Sequence, residues 1–145
     1  MQLFIFALFT LLIGFVGALQ NVFNNAMKSF IGLWETTFFV HLSGAVVALI
    51  AMLFFGQGTF WQLEKAPWFA WLGGVCGVII ISGIVLSIPR LGVVGTVGLF
   101  VFGQLLLSVL IDQFGLFGVR QLPLTFMKAS GLVLMGLGLW FFFRG

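Results

Sequence analysis

The chain has 145 residues, 62% of them hydrophobic and only 6% charged, with a mean hydropathy of +1.29. A soluble domain carries roughly a quarter charged residues, so the composition excludes a water-facing surface and points to lipid. The net charge of +3 is the balance of six Lys/Arg against three Asp/Glu; the basic residues are scattered along the chain, which excludes the basic cluster that would neutralise nucleic-acid phosphates and suits charges flanking membrane spans.

Crossing the hydrocarbon layer takes about 20 apolar residues of helix, and the sequence supplies about five such stretches. The start MQLFIFALF lacks the basic region of a secretory signal, so the first run reads as a retained helix. It is expected over residues 3–19, continuing as a more polar stretch to about Met27. Further spans are expected over 34–55, 68–88, 92–111 and 123–143, the last bracketed by Lys128 and Arg144, which can snorkel to the interfaces. Pro89, Arg90 and Leu91 are expected to separate the third span from the fourth. Trp34, Trp61, Trp68, Trp71 and Trp140 fall near span ends, as an interfacial aromatic belt requires. The expected fold is an all-α integral membrane protein, one transmembrane domain over 1–145.

With five spans, Lys65, Arg120 and Lys128 lie on one side of the membrane, and Lys28, Arg90 and Arg144 on the other. Lys/Arg bias in short loops sets orientation, and here it is tied. The tie predicts insertion both ways up, or one orientation imposed by a partner. A single dominant charge that decides the matter is the competing reading.

Among the twenty glycines, Gly73, Gly74 and Gly77 with Ala70 make overlapping small-xxx-small patterns, a helix-packing signal. Gly14 and Gly17, then Gly92, Gly95 and Gly98, do the same in the first and fourth spans. Cys76, alone in an apolar run, makes no intramolecular disulfide or metal site and reads as packing.

Polar residues inside a span are costly and need a reason. Gln20 and Asn24 lie four apart, on one helix face; Gln104, Ser108 and Asp112 repeat that spacing. These residues are the candidates for binding a substrate (Gln20, Asn24, Gln104, Ser108) or, with Glu35 and His41, for coupling to protons (Asp112). Each has a plainer reading. Asp112 can pair with Arg120 at the interface, Glu35 can complement the dipole of its helix as a first-turn acid, His41 can be a packing residue, and Gln104 with Ser108 can be inter-helix glue. No nucleophile–base constellation, metal-ligand spacing or Walker loop is present, so no enzyme activity, metal or cofactor is expected, and active transport would be ion-coupled or use an external ATPase.

The segment PWFAWLGGVCGVIIISGIVLSIPRLGVVGTVGLFVFGQLLLSVLIDQFGLFG resembles the signature half of the YdcZ-type proteins, short five-helix bacterial members of the drug/metabolite transporter superfamily. Pro67-Trp68, Gly73-Gly74, Pro89-Arg90-Leu91-Gly92, Gly103-Gln104 and Asp112-x-x-Gly115 stand in the family's order. The stretch from Gln20 to Asn24 and the tryptophan-led span reaching Ser43-Gly44 resemble its first two helices. The resemblance implies a multi-pass protein of the bacterial inner membrane and a half-transporter that pairs with an inverted copy, as a homodimer or with a paralogous five-helix chain. Glu35 and His41 match no motif of the family.

The resulting expectation is a secondary exporter of a small organic molecule or metabolite, possessing a midplane site in an inverted dimer. A cationic cargo follows if an acid lines the cavity. A passive channel and a non-transporting subunit of a larger complex are the alternatives. Accumulation against a gradient separates the first of these from a transporter, and fixed-stoichiometry co-purification of a large partner would identify the second.

Overall fold

A computed structural model describes residues 2–144, the side chains of residues 2, 3, 60 and 61 excepted, so the interfacial placing of Trp61 lies outside the described residues. The described residues form helices and connecting turns, with no strand among them. The chain divides into two compact units, Met1–Pro89 and Arg90–Gly145.

The first unit begins with α1 (Gln2–Ile31) and α2 (Leu33–Phe55). The first helix runs past Met27 to Ile31 because nothing in the sequence breaks it before Gly32. That residue alone separates the two helices, with φ 95° and ψ 170°, a conformation open to glycine. Its amide donates to Lys28 O at 2.9 Å, and its carbonyl accepts from Thr36 N at 3.2 Å and Thr36 Oγ1 at 2.7 Å. One glycine thus closes the hydrogen-bond ladder of α1 and opens that of α2.

After two short 3-10 turns, Phe60–Lys65 and Trp68–Leu72, comes α3 (Gly73–Phe114). The third span was expected as helix from Trp68, but Pro67 holds extended backbone (ψ 147°) and the α-helical register starts only at Gly73. The 42 residues of α3 would extend about 63 Å at roughly 1.5 Å per residue, twice the hydrocarbon thickness. Its break was expected over Pro89, Arg90 and Leu91; these residues stay helical and it falls at the next one, Gly92, the one residue of α3 with non-helical angles (φ 69°, ψ 172°). Proline removes a single N–H and can persist inside a helix when its freed carbonyl finds another donor. A positive φ stops the helix outright. The limb before Gly92 and the limb after it are therefore separate helical segments.

The limb after Gly92 and α4 (Phe126–Phe142) build the second unit. Gly115, in the left-handed conformation (φ 61°), ends α3. The following loop is held by Gln113, whose carbonyl accepts from Gln121 Nε2 at 2.8 Å, and by Leu122 N donating to Asp112 O at 2.8 Å. The last helix was expected from about Pro123 and starts at Phe126, where Thr125 Oγ1 accepts from Lys128 N at 3.3 Å as an N-cap. Its 17 residues span about 26 Å, slightly less than the roughly 30 Å hydrocarbon layer. It packs on the glycine face of the preceding limb: a Cβ at Gly98 would lie 2.6 Å from Leu139 Cδ2, and one at Gly136 3.2 Å from Phe102 Cζ. At the end of α4 the Arg144 guanidinium stacks 4.2 Å over the Trp140 ring.

Burial inverts the soluble pattern. Among the described residues of the first unit the buried side chains are Asn24, Thr36, Thr37 and Ser82 beside Ile84, Val85 and Ile88, and in the second unit Thr96 is buried. Large apolar side chains such as Phe9, Leu12, Phe38, Leu53, Val75, Leu107 and Phe141 point outward. In water this arrangement would aggregate. In lipid it is stable, because polar contacts and close packing, rather than apolar burial, hold helices together there.

Candidate functional site

Because Gly32 turns α2 back on α1, residues equally far on either side of it face each other, and an open groove of about 620 Å³ runs between the two helices. Val16, Gln20, Asn24, Ser43, Val47 and Ala51 are among its lining residues. Helical spacing of four brings Gln20 and Asn24 to this wall together. Asn24 is 5% exposed, and among the described residues its carboxamide has no hydrogen-bond partner. Ser43, which also lines the groove, donates to Val40 O at 3.1 Å. The site is mainly apolar, with a few converging polar groups, and its size is that of a small-molecule pocket.

Gln104 and Ser108 belong to the second unit. They share with Val101, Leu105, Leu107 and Ile111 a concavity of about 420 Å³ along one face of a single helix limb. Both are exposed and unpartnered among the described residues. Asp112 continues that stripe one turn further. No ion pair joins it to Arg120 among the described residues, so the interfacial pairing anticipated for it is not formed there.

Glu35 stands exposed in the first turn of α2, with its carboxylate folded back on the turn: a Cβ at Gly32 would lie 2.6 Å from Oε2. It does not line the groove. This is where an acid complements a helix N-terminus.

His41, two turns further into α2, is half-buried. Its Nδ1 sits 2.8 Å from Thr37 O. A carbonyl only accepts, so Nδ1 carries the proton in this contact, and the ring's other nitrogen is Nε2. That nitrogen points at Gly77 of α3, where a Cβ would lie 3.0 Å away. Gly77 is thus a close-approach position for a side chain, whereas Gly73 and Gly74 have open space where a Cβ would stand.

Sequence reasoning passed over a buried polar cluster in the same unit. Thr37 donates to Leu33 O at 3.0 Å and lies 3.1 Å from Ser82 Oγ; with the Thr37 proton committed to the carbonyl, Ser82 is the donor between them. The available signal was the adjacent pair Thr36-Thr37 at the head of an otherwise apolar span. Lys28 was read only as a flanking charge, yet its Nζ donates to Val85 O at 3.3 Å.

Among the described residues, three helices long and apolar enough to cross a bilayer, with apolar side chains outward and polar ones within, define a multi-pass membrane protein. The profile of the family described as "Putative inner membrane exporter, YdcZ" matches residues 5–141, and the chain belongs to that family. No curated protein and no solved structure matches it. Membership points to membrane export rather than to catalysis, in agreement with the resemblance of the segment from Pro67 to Gly118.

Proposed function

We propose that this chain is one half of a secondary exporter of small organic molecules, working as an inverted pair of five-helix units. The two limbs of α3 cross the membrane separately, which with α1, α2 and α4 makes five crossings. The cargo site is built from the α1–α2 groove of one unit and completed by a partner of opposite orientation. The observation that carries this reading is the Asn24 carboxamide, which has no hydrogen-bond partner among the described residues and lines a groove of molecular size, since an unmet amide at membrane depth is costly and marks a cavity or pathway. The exposed Gln104–Ser108 stripe supports a second protein surface against it, because an amide facing lipid is equally costly.

Export is proton-driven in this reading, with Glu35, His41 and Asp112 as the candidate coupling groups. Proteoliposomes on a solid-supported membrane, exposed to a panel of small organic compounds under an imposed proton gradient, test it. Gradient-dependent currents are expected with at least one compound. They are expected to vanish in Asn24→Leu and Gln104→Leu although both variants remain folded, and a neutralised coupling residue among Glu35→Gln, His41→Gln and Asp112→Asn is expected to leave only passive exchange. Currents unchanged in both Leu variants, or absent from the parent chain for the whole panel, would overturn the reading.

A further inference from the structure

We infer that the α1–α2 groove takes an uncharged amphipathic molecule, its hydrogen-bonding end on Asn24 and its apolar end toward Ala51. The inference rests on the half-exporter reading and narrows its cargo.

The groove is graded along its length. Gln20, Asn24 and Ser43 lie toward the Gly32 end together with Phe23 and Val40, while the far end, with Val16, Val47 and Ala51, is wholly apolar. Val16 and Asn24 stand eight residues apart on the helix, about 12 Å at roughly 1.5 Å per residue, the length of a small organic molecule rather than of a lipid tail.

No lining residue is ionisable, and the charged or titratable groups nearest in sequence all face elsewhere. Lys28, one turn beyond Asn24, donates to Val85 O. The Glu35 carboxylate folds onto Gly32, and His41 engages Thr37 O and Gly77. A cationic cargo was expected on the premise that an acid lines the cavity; the groove has none. A charge entering it would be desolvated with no counter-charge, which costs far more than the groove's contacts return. An amide or hydroxyl, in contrast, can meet the two donors and one acceptor that Asn24 holds unpaired.

The test compares two molecules of nearly one shape, 4-fluorobenzamide and the cation 4-fluorobenzamidinium, titrated by ¹⁹F NMR against the full chain in lipid nanodiscs. The amide is expected to bind about tenfold or more tighter than the amidinium. Asn24→Leu is expected to weaken the amide by about three- to tenfold, the loss of one or two hydrogen bonds. The isosteric Asn24→Asp is expected to reverse the preference toward the cation, a gain that a merely misfolded variant cannot show. Tighter amidinium binding by the parent chain, or binding indifferent to both Asn24 variants, overturns the inference. No binding of either molecule does so too, and leaves an acyl chain or a second copy as the occupant. Transport currents that persist when the amide preference fails would remove the cargo class alone; amide binding without any current would remove the exporter reading and leave the groove's selectivity standing.

Discussion

Lys28 Nζ donates to the backbone carbonyl of Val85 at 3.3 Å, and Val85 is fully buried. That carbonyl belongs to the residue four before Pro89, the position whose helical donor a proline deletes. The ammonium at the end of α1 therefore supplies the hydrogen bond that Pro89 removes from α3. It also explains why α3 continues through Pro89 and breaks at Gly92.

Lys28→Met leaves this buried carbonyl unpaired and is expected to destabilise the chain by about 1–3 kcal/mol. Pro89→Ala should recover most of that loss in the double variant, because the backbone N–H it restores can then bond Val85 O within the helix. Unfolding in detergent of the parent, both single variants and the double variant measures the coupling. Additive losses would show that Lys28 acts elsewhere.

The pairing of Lys28 with Val85 shows where the sequence was legible and where it was not. Hydropathy runs placed α1, α2 and α4 to within a few residues, because span length is imposed by the bilayer. Helix was expected to stop before Pro89, yet α3 runs through the proline to Gly92, since proline's effect depends on whether a distant side chain can serve the freed carbonyl, and that is a tertiary fact. Spacing by four put Gln20 with Asn24 and Gln104 with Ser108, as helix geometry alone requires. It could not tell that Asn24 is buried and Gln104 exposed, nor that Glu35 turns back on Gly32 while His41 turns to Gly77.

At Gly77, a methyl group would stand 3.0 Å from His41 Nε2. Gly77→Val is expected to displace the imidazole from Thr37 O and to cost about 1–3 kcal/mol of stability by overpacking. His41→Ala in the same chain should relieve the clash, so the double variant should be more stable than Gly77→Val alone. Thermal unfolding of the three variants provides the comparison.

Two threonines make an opposed pair. Thr96 is buried and its hydroxyl has no hydrogen-bond partner, so Thr96→Val, which removes the orphan group at constant shape, should be neutral or stabilise by about 1 kcal/mol. Thr37 is equally buried but bonds Leu33 O and Ser82. Thr37→Val strands the Ser82 hydroxyl and should destabilise by about 1–3 kcal/mol. Equal effects in the two variants would contradict the partner assignments.

The conformation of Gly92, φ 69° with ψ 172°, lies in a region that only glycine occupies at low cost. Gly92→Ala should therefore lose about 1–3 kcal/mol of stability, and Gly92→Val at least as much. A straightened α3 would instead tolerate alanine, a good helix former, and gain stability from it. Denaturation midpoints distinguish the two outcomes by sign.

The last prediction concerns orientation, and it depends on the five crossings proposed for the chain. Three basic residues then lie on each side of the membrane, so reporters active only inside or only outside the cell, fused to the C-terminus, should both give signal. Arg90 is exposed and counts on the side of the C-terminus. Arg90→Gln therefore leaves two basic residues there against three opposite, and the richer side should stay cytoplasmic. The C-terminal signal should move outward, and transport should fall as inverted pairs become scarce. Signal from one side only in the parent chain would mean a fixed orientation, and an inverted pair would then need a second, oppositely oriented chain.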